Sequence, residues 1–348
     1  MRVTMTGASG LIGSRLVGAL RARGEDVTVL SRDPRRALSA LEGGARAEPG
    51  DGSATPRVEA AAGESPSAEA GDGSATPRVE AAAGGALRAE RWIPEAGPPP
   101  SVALSGADAV VHLAGENIAQ RWIASAKRAI RESRVHGTRN LVRGLAALPD
   151  GERPATLISG SAIGYYGAHG DEPLDEEAPS GSGFLAETCA AWEAEADAAR
   201  ELGTRVVKLR TGVVLDPSGG ALAKMLPPFK LGVGGPVAGG RQYVSWIEPE
   251  DLIGIALAAL ADERWQGAVN ATAPEPVRNA ELAAALGRVL HRPALVPVPG
   301  FALKALYGEM AQVVTAGARV LPARALMNGY RFRYSDVDAA LQAALLDR

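Results

Sequence analysis

Residues 3–20, VTMTGASGLIGSRLVGAL, decide how the rest of the chain is read. Val3–Thr6 reads as a short buried strand, and Leu11, Ile12, Leu16 and Leu20 then recur at helical spacing as far as Arg23. Between strand and helix lies GASGLIG, in which Gly7, Gly10 and Gly13 keep a GxxGxxG spacing. In a dinucleotide fingerprint the first glycine permits the turn, the second lets backbone approach a pyrophosphate, and the third lets helix pack on strand. The free N–H groups at the helix start face the anion, so Ser9, Leu11 and Ile12 join the three glycines as expected cofactor contacts. A tight turn without a ligand is the competing reading, and the strand before and helix after argue against it.

Outward from this stretch, Gly24 closes the helix and DVTVLSR (26–32) supplies a second strand. Further strands are legible in ADAVVHLAG (107–115), ATLISGS (155–161), TRVVKLRTGVVL (204–215) and AVNATA (268–273), with helical patterns between them. The alternation predicts an α/β fold, a doubly wound parallel sheet of the Rossmann type. At the end of the second strand an NAD site places an acid on the ribose 2′-hydroxyl. Here Ser31 and Arg32 stand there instead, and a guanidinium beside a hydroxyl suits a 2′-phosphate. NADP(H) is the expected cofactor. A solvated Arg32 with Asp33 on the ribose is the alternative, although Asp33 precedes Pro34 and is better placed to cap the next turn.

The composition limits partners. With 348 residues, 46% hydrophobic and 22% charged, the chain can bury a large core. A net charge of −3 gives no field for nucleic acid or an anionic membrane. Cys189 is the one cysteine, so no internal disulfide forms and a reducing compartment is expected. No signal peptide and no run of roughly twenty apolar residues is legible, which points to the cytoplasm and against a membrane span. A small-molecule substrate is expected, with at most a second copy of the chain as protein partner. No His/Cys spacing suggests a metal. From about 34 to 100 the composition turns to Gly, Ala, Ser, Pro and Glu, and GDGSATPRVEAAAG occurs twice, at 50–63 and 71–84. The expectation there is a mobile surface insertion.

HLAGENIAQRW (112–122), SRVHGTRNLV (133–142), SGSAIGYYG (159–167), KMLPPFKLGVGGPVAGGRQYVSWI (224–247), VNATAPEPVRNAEL (269–282) and GYRFRYSDVDAAL (329–341) together resemble the atypical, epimerase-like branch of the extended short-chain dehydrogenase/reductases. The branch comprises NAD-dependent epimerase/dehydratase and cell-division-inhibitor-like proteins. The resemblance spans the chain except the repeats. It implies an NADP-binding Rossmann domain over 1–215 and a smaller C-terminal substrate domain mainly over 216–348, interleaved with 165–185. It also implies cofactor contacts from Ser31, Arg32, Leu113, Ala114, Gly115, Glu116, Arg134 and Val214. Glu116 with Asn117 reads equally well as a polar helix start, and Arg134 as a surface ion pair.

Ordinary members of that superfamily pair a serine with Tyr-xxx-Lys on the following helix, where the lysine lowers the tyrosine pKa. Ser161 fills the serine position, but in GFLAETCAAWEAEA (183–196) Phe184 and Thr188 stand where tyrosine and lysine should be. Tyr166, or Tyr165 beside it, is the substitute expected to donate a proton next to Ser161. Lys208 is expected to pack its stem along the sheet with its head in water, Cys189 to be a buried hydrophobe, and His112 a satisfied core residue. Lys224, Lys230 and Arg241 either grip an anionic substrate or form a solvated rim. In SWIEPEDLIG (245–254) Glu248 replaces the histidine of the resembled segment, and Asp251 is expected to cap the helix that follows. FALKALYGEM and VLPARALMNGYRF are expected to pack the substrate domain. The function so read is an NADP(H)-dependent oxidoreductase or epimerase-like enzyme acting on a small carbonyl or hydroxyl compound. A non-catalytic NADP(H)-binding regulator is the first alternative. A nucleotide-sugar epimerase is the weaker one, since epimerisation needs a proton taken as well as given.

Overall fold

The structure, a computed structural model, describes residues 1–43 and 84–346. The duplicated segments, apart from Gly84, lie outside the described residues. Seven parallel strands form the central sheet: β1 (Arg2–Thr6), β2 (Asp26–Ser31), β3 (Leu87–Arg91), β4 (Ala109–His112), β5 (Thr156–Ala162), β6 (Arg205–Thr211) and β7 (Gly267–Ala271). Their order is β7-β6-β5-β4-β1-β2-β3. The chain runs outward from β1 to β3, returns to β4, and runs outward the other way. Its reversal lies between β1 and β4, and the carboxyl ends of those two strands are where such a sheet opens a ligand crevice.

Both faces of the sheet are covered, so its strands read as nearly continuous apolar runs. On one face Val111, Ile158 and Val207 pack with α1 (Leu11–Ala22), α2 (Pro34–Gly43) and α7 (Pro249–Ala261). On the other, Val110, Leu157 and Val206 pack with α3 (Ser101–Leu104), α4 (Ala124–Ala146) and α5 (Phe184–Asp197). A separate cluster joins Leu222 and Phe229 of α6 (Gly220–Lys230), Leu282 and Leu286 of α8 (Asn279–Val289), and Leu341 of the last helix, Val337–Leu345. α9 (Gly300–Tyr307) has no buried residue.

Two expected boundaries change. The insertion read as 34–100 is narrower, because α2 buries Ala37 and Leu38, and β3 pairs with β2 from Leu87 onward. The low apolar content of the flanks hides both, since an edge strand needs few apolar residues. The division at 215 is crossed as well: α7 and β7 return to the sheet from the segment assigned to the second unit. At its outer side β7 is covered by side chains. Glu176 accepts a hydrogen bond from the Asn270 N–H at 2.9 Å, and the Arg324 guanidinium donates to the carbonyls of Gln266 and Ala268, each at 2.9 Å. An edge occupied in this way cannot template further strands.

Candidate functional site

The glycine turn sits at the reversal point. Gly7 has φ +69°, and a Cβ there would lie 2.7 Å from the Leu113 carbonyl carbon and 2.8 Å from Ala114 N. A Cβ on Gly13 would lie 2.2 Å from Gly7 O. The turn therefore brings the end of β1 against the end of β4 and lets α1 start directly above it. Gly10 precedes α1 with no side chain to cap it, so the first N–H groups of the helix, from Leu11 onward, have no intrahelical acceptor. Ser9 and Gly10 are exposed beside them, while Leu11 and Ile12 are half-buried.

Across the turn a chain of hydrogen bonds fixes the end of β4. The Arg134 carbonyl accepts from Thr138 Oγ1 at 2.6 Å, so that hydroxyl must accept from His112 Nε2–H at 3.0 Å. His112 Nδ1 then accepts from Thr6 Oγ1 at 2.7 Å, which itself accepts from Ala114 N–H at 3.1 Å. Burial, and secondarily the Arg134 charge, lower the His112 pKa to about 4. The imidazole is thus a neutral core residue that aims the Leu113–Ala114 backbone.

The second-strand end carries the residues expected to select the cofactor. Ser31 Oγ accepts from Asp33 N–H at 3.2 Å, and Asp33 Oδ1 accepts from Arg36 N–H at 3.0 Å, which commits Asp33 to the start of α2. Arg32 is exposed and makes no ion pair among the described residues. On the far wall, Val213–Val214 pairs with Trp246–Ile247, and the following Asp216 binds Arg15 of α1, with Nε at 2.8 Å. Arg134 donates from Nη1 to the Glu116 carbonyl at 2.9 Å and lies over the Trp192 ring at 5.3 Å. Its guanidinium lies where a Gly115 side chain would stand, so a larger residue there would have to displace Arg134.

The residues expected to do proton chemistry are distributed differently from expectation. Ser161 is buried and donates to Glu193 at 2.7 Å. Glu193 also accepts from Arg210 through Nε at 2.8 Å and Nη2 at 2.9 Å. Arg210 Nη1 in turn donates to Tyr166 Oη at 2.8 Å, and that hydroxyl lies 2.7 Å from Asn270 Oδ1 and 2.9 Å from Asp175 O. Tyr166 is fully buried, and desolvation outweighs the Arg210 charge to push its pKa up to about 12. A phenol so placed spends its proton inside the protein. Tyr165 differs: it is half-buried, the Arg210 guanidinium lies 3.5 Å from its ring centroid, and its hydroxyl has no hydrogen bond among the described residues.

Other expectations are corrected by the same region. Lys208 does not end in water but pairs with Asp197 at 2.6 Å and lies 3.4 Å from Glu193, because α5 turns two acids toward the strand that carries it. Asp251 does not cap α7. Glu248 does, accepting from Glu250 N at 2.6 Å and Asp251 N at 3.0 Å, while buried Asp251 accepts from the Arg333 and Tyr334 N–H groups and the Tyr330 hydroxyl. Phe184 packs edge-on against Trp122 with Lys127 over its ring, and Thr188 donates to the Phe184 carbonyl. Cys189 is buried, with its thiol pushed up to about 11 by desolvation.

The loop basic residues separate. Lys224 donates to the Ala119 carbonyl at 3.0 Å, Lys230 is exposed, and Arg241 lines a cavity of about 360 Å³ with His169, Asp171, Gln242, Tyr243 and Arg278. Arg278 lies over the Tyr243 ring at 4.7 Å and pairs with Asp171 at 2.8 Å, and Arg319 lies over the same ring at 5.7 Å. Two lining guanidinium groups against one carboxylate, with Arg319 beyond the ring, leave this cavity cationic. Glu193, Arg210, Asn270 and Arg278 escaped the sequence reading. For Glu193 a signal was present, since it follows Cys189 by four residues on the apolar face of α5 and a charge there demands a partner.

A parallel sheet with a glycine turn at its reversal point and unpartnered helix N–H groups above it defines a protein of the Rossmann class. The chain belongs to the NAD dependent epimerase/dehydratase family, whose model matches residues 3–67 and 101–271; residues 298–344 match a domain of unknown function (DUF1731). It is 39% identical to the chloroplastic SDR39U1 homolog of Arabidopsis thaliana, an epimerase family protein, over 99% of this chain and 87% of that one. It is 33% identical to epimerase family protein YfhF of Bacillus subtilis, over 100% of this chain and 99% of that one. Among solved structures it is similar to human epimerase family protein SDR39U1 (isoform 2), crystallised with NADPH, with TM-score 0.75 and 30% identity over 99% of each chain.

Proposed function

We propose that this chain is an NADP(H)-dependent oxidoreductase acting on a small carbonyl or hydroxyl compound that carries an anionic group. One observation carries the cofactor assignment: Arg32 is exposed and unpaired at the end of β2 while Asp33, its acidic competitor, is spent on α2. That the human relative was crystallised with NADPH supports it. The N–H groups of Leu11, Ile12 and Gly13 would hold the pyrophosphate, Ser31 and Arg32 the 2′-phosphate, and the backbone of Leu113 and Ala114 the ribose, near Val214. The glycine cradle fits such a group, since side chains at positions 7 and 13 would strike backbone. Bound there, the nicotinamide supplies hydride exchange.

The chain's own residues supply the rest. Tyr165, with its hydroxyl free and the Arg210 cation against its ring, delivers or receives the proton at the substrate oxygen. Ser161, Glu193, Arg210 and Tyr166 form the rigid layer that positions it. Arg241 and Arg278 take the anionic group of the substrate. Titration should give at least tenfold tighter binding of NADPH than NADH, with the preference lost in Arg32→Glu; equal affinities in the unaltered chain would sink the assignment. NADPH oxidation across a panel of small oxo-acids, compared with Tyr165→Phe, tests the chemistry.

A second reading, a non-catalytic NADP(H)-binding regulator, is favoured by one observation: the Ser161 and Tyr166 hydroxyls are both consumed in a buried network. It predicts that NADPH binds and stays unoxidised with every carbonyl compound offered.

A further inference from the structure

We infer that the face formed by the loop after α6, residues 292–298 and α9 docks on an anionic lipid surface. The pieces are joined. The Val296 N–H donates to Gly234 O at 3.2 Å, Val298 N–H to Pro236 O at 2.9 Å, and Gly300 stands against Ala238. What they present outward is apolar: Leu231 is 78% exposed, Leu295 82%, Phe301 78% and Leu306 63%. Exposed apolar side chains gathered on joined segments in this way mark an interaction surface.

Charge says what covers it. The chain is acidic overall, at −3, yet neither 217–247 nor 282–308 contains an Asp or Glu, while together they carry Lys224, Lys230, Arg241, Arg288, Arg292 and Lys304. Arg288 is paired with Asp338, and Arg241 lines the cavity described above. Lys230, Arg292 and Lys304 are exposed with no acidic partner among the described residues, beside exposed His291. Lys304 follows Phe301 by three residues on α9, so anchor and cation share a helix face. Apolar side chains that enter the acyl boundary, ringed by cations that meet phosphate headgroups, are the physics of interfacial attachment. A net charge of −3 does not oppose it, since headgroups respond to charges within a Debye length. Among the described residues no helix is long and apolar enough to cross a membrane, so the contact is with the surface alone.

Flotation of the full chain with vesicles tests this. It should float with equal parts phosphatidylglycerol and phosphatidylcholine and stay behind with phosphatidylcholine alone. Phe301→Asp with Leu306→Asp should weaken binding at least tenfold. Lys230→Ala with Lys304→Ala should weaken it about twenty-fivefold, at roughly fivefold per cation lost, with an unchanged melting temperature. Should the aspartate pair fail to fold, the lysine pair carries the test. Absent flotation, equal flotation with both vesicles, or binding indifferent to the lysine pair overturns the inference. So does light scattering that shows a dimer which the aspartate pair makes monomeric, since a second copy would then cover the face.

Discussion

His112 illustrates how a titratable residue at a site mouth can be purely architectural. Folded, its imidazole stays neutral down to about pH 4, whereas an unfolded histidine titrates near 6.5. As pH falls through that window the unfolded chain takes up the proton first, so stability present above 6.5 is lost toward 4, by up to about 3 kcal/mol. Denaturant unfolding at pH 7 and 4.5 should show this loss in the native chain and a markedly smaller one in His112→Gln. The buried network predicts a ranking. Glu193→Ala strands the Arg210 charge and should cost about 3–5 kcal/mol, whereas Tyr166→Phe removes one partner of Asn270 and should cost about 1–3 kcal/mol; urea midpoints give both. At this scale the glycines were legible because a positive φ and a forbidden Cβ leave one residue type. Tyr166 was misread because a hydroxyl beside Ser161 in sequence says nothing of which way its ring turns, and the Arg210–Asn270 partners come from two distant strands.

Elements were legible where their periodicity repeats and obscure where side chains do the work of strands. β4 and β6 lie inside the apolar runs read from the sequence, and β5 and β7 overrun theirs by one residue each, since burial on both faces demands such runs. β3 was hidden because its LRAER alternates at the sheet edge. The N-cap of α7 was assigned to the wrong acid because Glu248 and Asp251 are three residues apart, and only the turn geometry tells acceptor from donor. Glu248→Ala should therefore destabilise the chain by about 1 kcal/mol, while the longer reach of Gln in Glu248→Gln retains part of the cap. Thermal unfolding of the two variants side by side distinguishes them.

Over the whole molecule, the proposed binding at the reversal point would bridge β1, β2, β4 and the loop beyond Val214, which belong to separate chain segments. A ligand there should raise global stability: at one hundred times its Kd, NADPH adds about 2.7 kcal/mol and should lift the melting temperature by several degrees, against about half that or less with NADH at the same concentration. The C-terminal segment enters the same fold through Asp251, whose fully buried carboxylate is satisfied by Arg333, Tyr334 and Tyr330 from beyond residue 329. The match to a domain of unknown function over 298–344 spans all three. In terms of modular exchange, that segment is no interchangeable cassette: transplanted between relatives, it must meet an acid on α7, and a recipient lacking one would leave its N–H groups bare, just as a donor lacking the segment would entomb a naked carboxylate.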